Sequence, residues 1–166
     1  YTEAEIDAVV KVMREACGQT QGKYMVEFEQ AFCAFTGAKH AFAVNNCTSA
    51  LKMAAIFCHI QPGDEVIIPA YTFCASAIPF GDLGAKIAWA DINPDTWTID
   101  PDDIARKITP KTKAVVCVHL LGMPCDMKKI VPIARAHGLK VVEDCAQALD
   151  CRIDGQHVGT FGDFGC

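Results

Sequence analysis

The stretch Val141-Val142-Glu143-Asp144-Cys145-Ala146-Gln147 carries most of the information about how this chain folds. Its apolar beginning predicts a buried strand over residues 139–144, which brings Asp144 to the carboxyl end of the strand and Gln147 just beyond it. Open α/β sheets hold their ligands at that end. A buried aspartate is costly to ionise without a cation, and no Lys or Arg follows within the next several residues. Asp144 is therefore predicted either to meet a cationic partner or to cap the helix that follows.

Strands and helices are predicted to alternate along most of the chain. Apolar runs of strand length occur at residues 41–44, 65–69, 86–90 and 113–118, in addition to 139–144. Helical patterns fall between them, at residues 48–59, 73–83, 101–107 and 131–137. Pro132 would break a longer last helix, so residues 126–130 are interpreted as a separate turn. This order predicts an α/β fold with a largely parallel sheet.

Two further helices are predicted before the first strand. Thr2 and Glu5 form a capping-box pattern at the start of the first helix. The second helix is expected to stop at Gly37, which suits the left-handed residue that ends many helices. The apolar face of the first helix comprises Ile6, Val9, Val10, Met13, Ala16 and Cys17, and that of the second comprises Phe28, Ala31, Phe32 and Phe35.

Composition excludes several classes of protein. The chain has 166 residues, a net charge of −5 and 51% hydrophobic residues, which suits one domain whose sheet is covered on both faces. No basic cluster suggests a nucleic-acid surface, and no apolar run approaches the roughly 20 residues of a membrane span. No G-x-G-x-x-G follows a strand, which argues against a nicotinamide-binding Rossmann domain.

The ten cysteines show neither C-x-x-C nor zinc spacing. Several occupy positions that suit a small buried residue, as Cys117 does within an apolar strand. Free cysteine behaves as a small hydrophobe, and a cytoplasmic protein keeps its thiols reduced. We therefore expect no metal site and no disulfide, and a cytoplasmic location.

Blocks along the whole chain resemble, in order, the DegT/StrS family of pyridoxal-phosphate (PLP) sugar aminotransferases, which are fold-type-I PLP transferases. The Glu143-Asp144-x-Ala146-Gln147 motif is the most distinctive of them, and the ordered set is more specific than any one block. The other blocks lie at residues 21–23, 27–29, 46–51, 62–67, 69–73, 112–115, 118–122, 126–127 and 159–165.

The resemblance implies a three-layer α/β/α large domain with a mostly parallel sheet. Residues 1–166 would be a partial PLP-binding large domain, formed by the N-terminal helices and most of the sheet. In the family, the lysine that forms the Schiff base with PLP and a small C-terminal domain follow beyond the position of Cys166. The chain also begins with Tyr1 rather than Met, so we interpret it as a fragment without its catalytic lysine.

The resemblance also assigns cofactor-binding residues. At the predicted turn formed by residues 46–49, Thr48 would bind the cofactor phosphate with its hydroxyl and Ser49 with its N–H, since helix amino termini bind anions. Cys47 stands where the family usually has Gly. The alternative for these residues is an ordinary Thr or Ser helix cap. Phe73 would stack on the PLP ring, with Tyr71 as its rival.

Around the ring, Asp144 would pair with the protonated pyridine nitrogen, and Gln147 would reach the 3-hydroxyl. Glu143 points to the other face of its strand and is expected to be structural. His119, at the carboxyl end of the preceding strand, is expected to line the pocket.

The implied activity moves an amino group from glutamate or glutamine to a keto sugar, often linked to a nucleotide, in a homodimer. Three alternatives remain open at this stage. Relatives with histidine in place of the lysine dehydrate or deoxygenate sugars, a PLP fold can serve as a non-catalytic regulatory module, and a cyclitol can replace the nucleotide sugar as acceptor.

Overall fold

The structure is a computed structural model that describes residues 1–15 and 22–166. The chain forms two compact units, Tyr1–Ala43 and Val44–Cys166. The predictions for Ala16, Cys17 and Gln21 lie outside the described residues. None of the described helices is both long and apolar enough to cross a membrane.

The first unit contains the two predicted helices, α1 at Glu3–Glu15 and α2 at Lys23–Thr36. The capping box is confirmed, because the Glu5 N–H donates to Thr2 Oγ1 at 3.4 Å and the Thr2 N–H donates to the Glu5 carboxylate. Helix α2 ends at Gly37, whose φ of 77° is left-handed and whose N–H donates to the Cys33 carbonyl. The predicted end of this helix is therefore confirmed.

The strand predicted at residues 41–44 is wrong, because these described residues form no strand. The backbone N–H of Ala43 instead donates to the Glu29 carboxylate at 2.8 Å. An apolar run becomes a strand only where a neighbouring strand accepts its backbone hydrogen bonds, and sequence pattern alone does not reveal that neighbour.

The second unit is built on a parallel sheet whose strands are, in spatial order, β2, β1, β3, β4 and β7. The four predicted strands of this unit are all present, with β3 one residue longer and β4 one residue shorter than expected. A short antiparallel hairpin, β5 and β6, precedes β7. The bounds are β1 Glu65–Pro69, β2 Lys86–Ala90, β3 Thr112–Val118, β4 Lys140–Asp144, β5 Arg152–Ile153, β6 Gln156–His157 and β7 Phe164–Gly165.

Helices cover both faces of this sheet, which confirms the three-layer α/β/α fold. Helix α3 (Cys47–Phe57) and helix α4 (Ile78–Gly81) pack on one face, against alternate residues such as Val66 and Val116. Helix α5 (Pro101–Lys107) and helix α6 (Met127–Ala136) pack on the other, against Ile67 and Val115. Strand residues buried on both faces explain the continuous apolar runs in the sequence.

Two prolines have effects that differ from the prediction. The helix expected at residues 73–83 is divided into a 3-10 turn, Cys74–Ser76, and the short helix α4. Pro79 has no N–H to donate to the carbonyl of residue 75, and it lies in the first turn of α4, where that donor is not needed, so this position favours the start of a new helix over continuation of the preceding turn. Pro132, by contrast, lies inside α6, which begins after the Asp126 cap rather than at residue 131. The separate turn predicted at residues 126–130 is therefore wrong.

Candidate functional site

Asp144 ends β4 with only 6% of its surface exposed. Its Oδ2 accepts a hydrogen bond from Ser76 Oγ at 2.7 Å. Its Oδ1 accepts from the Ala146 N–H at 3.2 Å and from Cys47 Sγ at 3.7 Å. All three groups are uncharged, and Asp144 forms no ion pair with any residue in the described part of the chain. The carboxylate is therefore buried and hydrogen-bonded, but without a counter-charge from these residues.

The amino terminus of α3 lies beside this carboxylate, because Cys47 is the first residue of the helix. Asn46 caps the helix by accepting the Ser49 N–H at 2.8 Å. The Ser49 N–H, expected to bind phosphate, is therefore already bonded, and the cap is Asn46 rather than Thr48 or Ser49. The N–H groups of Cys47 and Thr48 have no hydrogen-bond partner among the described residues, and Thr48 is exposed.

Cys47 connects the helix terminus to the carboxylate. Burial, together with the negative charge of Asp144, raises the pKa of the Cys47 thiol to about 12. The sulfur therefore stays protonated at neutral pH and can donate its proton to Asp144, rather than repel it as a thiolate.

Gln147 lies just beyond Asp144 and is exposed. Its Oε1 accepts the Leu121 N–H at 2.8 Å, in the 3-10 turn Leu120–Gly122 that follows β3. Its amide nitrogen donates to none of the described residues. The contact with Leu121 fixes the side chain while leaving two N–H donors for a ligand.

The two candidate stacking residues differ in what they touch. The ring of Tyr71 packs edge-on against Trp97, with ring centroids 5.7 Å apart. Phe73 begins the 3-10 turn Cys74–Ser76, is 68% exposed and contacts no other aromatic ring in the described part of the chain. Of the two candidates, Phe73 therefore has the ring face that is available for stacking on a ligand.

Glu143 has a different role from its neighbour Asp144. It is fully buried, and because alternate strand residues face opposite ways it lies on the α5 and α6 side of the sheet. Its two oxygens accept hydrogen bonds from three backbone N–H groups of the loop before β7 and from one side chain. The N–H groups are those of Gly159, Phe161 and Gly162, at 2.7–2.8 Å, and the side chain is His119, whose Nε2 lies at 3.1 Å.

His119 is completely buried on this same side. Its Nδ1 accepts the Cys125 N–H at 3.1 Å, so Nε2 carries the proton that is donated to Glu143. Only its backbone contacts Asp144, through an N–H to carbonyl bond of 3.0 Å. The structure therefore places His119 in the core behind the strand, rather than in an open pocket as expected.

Ser76 was not predicted as a site residue, although it bonds Asp144 directly. Its own oxygen lies 2.8 Å from Thr72 Oγ1. Sequence reasoning assigned residues 73–83 to one helix, in which Ser76 has no special place. The available indication was a single hydroxyl within the apolar segment 75–80, three residues before Pro79.

The described cysteines are free thiols, and no cluster of His, Cys, Asp and Glu in the described part of the chain could hold a metal ion. The groups of the site that can bind a small molecule are a buried carboxylate, a helix terminus with unbonded N–H groups, an exposed hydroxyl and an exposed aromatic ring. Together with the parallel sheet they define an α/β protein whose site suits a ligand with both an anionic and a basic group. The chain belongs to the DegT/DnrJ/EryC1/StrS aminotransferase family, whose model matches residues 1–166.

Named relatives agree with this membership. The chain is 42% identical to the GDP-perosamine synthase of Caulobacter vibrioides over 159 residues, which is 96% of this chain and 43% of the relative. It is also 42% identical to the UDP-N-acetyl-3-dehydro-alpha-D-glucosamine 3-aminotransferase of Acidithiobacillus ferrooxidans, covering 83% of this chain and 37% of the relative. The chain thus spans about two fifths of the length of these relatives.

The fold is also similar to the folds of solved structures. A Streptococcus pneumoniae protein solved in its PLP-form matches with a TM-score of 0.92 and 31% identity, over 99% of this chain and 46% of the solved chain. The fold-type-I interpretation of the sequence is therefore confirmed.

Proposed function

We propose that the protein containing this chain is a PLP-dependent aminotransferase that moves an amino group from glutamate or glutamine to a keto sugar linked to a nucleotide. Residues 1–166 would form part of its cofactor-binding large domain, with the catalytic lysine and the small domain contributed by further sequence. The family membership and the names of the two relatives support this activity.

The observation that carries the proposal is the state of Asp144. A buried carboxylate normally requires a cation, and the described residues give it only Ser76, Cys47 and the Ala146 N–H. A protonated pyridine nitrogen would supply the missing charge. Because Cys47 joins Asp144 to the amino terminus of α3, the same ligand could reach unbonded N–H groups with its phosphate. The residues present therefore fit PLP.

The contacts expected of Thr48, Phe73 and Gln147 involve groups that the structure leaves available. Thr48 would bind the phosphate with its hydroxyl, assisted by its own N–H and that of Cys47. Ser49 would contribute its hydroxyl, since its N–H is bonded to Asn46. Phe73 would stack on the ring, and Gln147 would donate its amide N–H to the 3-hydroxyl. His119 would act only indirectly, by holding Glu143 and the end of β4.

Bound PLP supplies an electron sink for the charge that develops when the amino donor loses its α-proton. The residues of this chain would support that chemistry in two separate ways. Asp144 would hold a proton on the ring nitrogen, which strengthens the electron sink. Thr48 and the α3 terminus would hold the phosphate, which takes no part in the electron flow, so they would govern retention of the cofactor.

We further propose that the protein is a cytoplasmic homodimer. Family resemblance supports the dimer. The ten cysteines, whose spacing suggests free thiols rather than disulfides, support a reducing compartment.

The test uses the complete gene product, reconstituted with PLP and incubated with a panel of nucleotide-linked keto sugars and 15N-labelled glutamate or glutamine. The expected result is one sugar product that carries 15N at the former carbonyl carbon, identified by mass spectrometry and NMR. Loss of a hydroxyl without gain of nitrogen would instead indicate a dehydratase or deoxygenase. Failure to bind PLP would reject both enzymes.

A further inference from the structure

The break in the helix at Pro79 gives Ser76 an unusual position. The 3-10 turn Cys74–Ser76 ends at this residue, which is 1% exposed and points its hydroxyl at the end of β4, 68 residues away in sequence. Among the side chains that bond Asp144, it makes the shorter contact, 2.7 Å compared with 3.7 Å for Cys47. A buried hydroxyl at this distance from a carboxylate is a strong, charge-assisted donor.

The direction of the hydrogen bonds follows from counting protons. An ionised carboxylate only accepts, so the single proton of Ser76 Oγ is donated to Asp144. The 2.8 Å bond between Ser76 and Thr72 must then be donated by Thr72. Thr72 thereby polarises the Ser76 hydroxyl and strengthens its bond to the carboxylate.

The same count shows which carboxylate oxygen remains available. Among the residues that the structure describes, Cys47 and Ala146 both donate to Oδ1, which uses its two lone pairs, whereas Oδ2 accepts only from Ser76. One lone pair of Oδ2 is left for a ligand.

The other titratable groups near Asp144 do not supply a positive charge for its carboxylate. The thiols of Cys47, Cys145 and Cys166 face it from α3, from the segment after β4 and from the end of β7, and burial raises the pKa of all three. They are therefore neutral at physiological pH. Glu143 and His119 bond one another on the opposite face of the sheet.

We propose that Ser76, supported by Thr72, is a positioning residue that holds the Asp144 carboxylate by a charge-assisted hydrogen bond and turns the free lone pair of Oδ2 toward the basic group of the ligand. This role rests on the proposed function only for the identity of that group, since the hydroxyl pair acts on Asp144 whether or not the cofactor is bound.

The test is 13C NMR of the Asp144 carboxyl carbon in the complete protein without cofactor at neutral pH, with the signal assigned by its loss in Asp144→Asn. The chemical shift of a carboxylate carbon responds to the hydrogen bonds that its oxygens accept, so Ser76→Ala should displace the signal from its position in the parent. Ser76→Cys, which keeps the size but weakens the donor, should displace it less. Thr72→Val should displace it in the same direction as Ser76→Ala, by a smaller amount.

Thr98→Ala is the matched control, because Thr98 is also a buried hydroxyl paired with a threonine, Thr96, and has no contact with Asp144. It should leave the Asp144 carboxyl signal where it is in the parent. The proposal is overturned if Ser76→Ala is folded and its Asp144 signal does not move, or if the control moves the signal equally. Failure of the amino-transfer assay would not alter this measurement, so the two proposals fail separately.

Discussion

At the scale of single residues, Glu143 and Asp144 show how adjacent carboxylates acquire different roles. Glu143 is saturated by backbone N–H groups and a histidine, whereas Asp144 has three uncharged donors and one free lone pair. The first arrangement stabilises a loop. The second leaves a negative charge that a cationic group of a ligand can pair with, and such unpaired buried charges are typical of functional sites.

The proposed roles of Asp144 and Thr48 predict opposite kinetic effects in the complete enzyme. Asp144→Asn keeps the shape but removes the charge, so turnover at saturating PLP should fall by about 100-fold or more. Thr48→Ala should raise the dissociation constant of PLP by about tenfold and leave turnover at saturating PLP nearly unchanged. Turnover and PLP affinity are measured side by side for both variants. Amino transfer by Asp144→Asn at the parent rate would show that Asp144 is not the partner of the ring nitrogen.

Sequence reasoning placed Asp144 at the end of a strand and Thr48 near the start of a helix because strand ends and helix starts can be located from hydrophobic pattern. The roles of these residues and of Phe73 in binding a cofactor stay predictions. It missed Ser76 and misjudged His119, because both depend on which side chains meet across elements. His119 follows β3 at the expected place, yet its ring bonds Glu143 and Cys125 in the core. A pattern in one segment does not contain that information.

At the scale of elements, the two prolines separate two effects of the same residue type. Pro79 lies near the start of a helix and ends the preceding turn, whereas Pro132 lies in the interior of α6 and is tolerated there. Helix α6 is nevertheless anchored by the Asp126 cap and by Met127, Ile130 and Ala134, which are buried in the core. Tertiary packing therefore outweighs the loss of one backbone hydrogen bond, which propensity alone would not predict.

Replacement of Pro132 should reveal the size of that loss. Pro132 is exposed, so Pro132→Ala removes no core contact and restores an N–H to the helix interior. The gain is partly offset by the greater freedom of alanine in the unfolded chain, and the free energy of unfolding should increase by about 1–2 kcal/mol. Denaturant unfolding of the complete protein measures the change. Pro110→Ala, at an exposed loop position, should give no increase, and an equal effect in both variants would contradict this interpretation.

The strands show both what an apolar pattern predicts well and what it leaves out. Strands β1 to β4 were predicted almost to the residue because parallel strands covered on both faces are continuous apolar runs between turn signals, whereas the two-residue strand β7 was not predicted. Residues 41–44 have the same pattern without forming a strand, because a strand also needs a hydrogen-bonding neighbour.

At the scale of the whole molecule, the second unit presents many large apolar side chains to its surroundings. Phe73, Leu121 and Leu149 are 68–80% exposed, and the edge strand β2 carries the half-exposed Trp89. Apolar surface of this extent and an open strand edge are typical of contact regions and of aggregation-prone segments.

A polypeptide restricted to residues 1–166 is therefore expected to self-associate. Size-exclusion chromatography with light scattering, at several protein concentrations, should show a mass that grows with concentration. Replacing the exposed Trp89 and Leu149 with Lys should reduce this growth, whereas Lys at the already exposed polar position Gln61 should not. A concentration-independent monomer with a sharp thermal transition would contradict the expectation.

The pair of carboxylates at the end of β4 also specifies how that strand aligns with β3. In the observed alignment Cys117 lies opposite Glu143 and Val118 opposite Asp144. A slip by one residue would cost little at Val141 and Val142, since each face would still receive a valine. It would, however, turn Glu143 away from its N–H donors and Asp144 away from Ser76, leaving two buried charges without partners. The two acidic residues thus specify the register of β4 against β3, which the apolar residues of the strand do not.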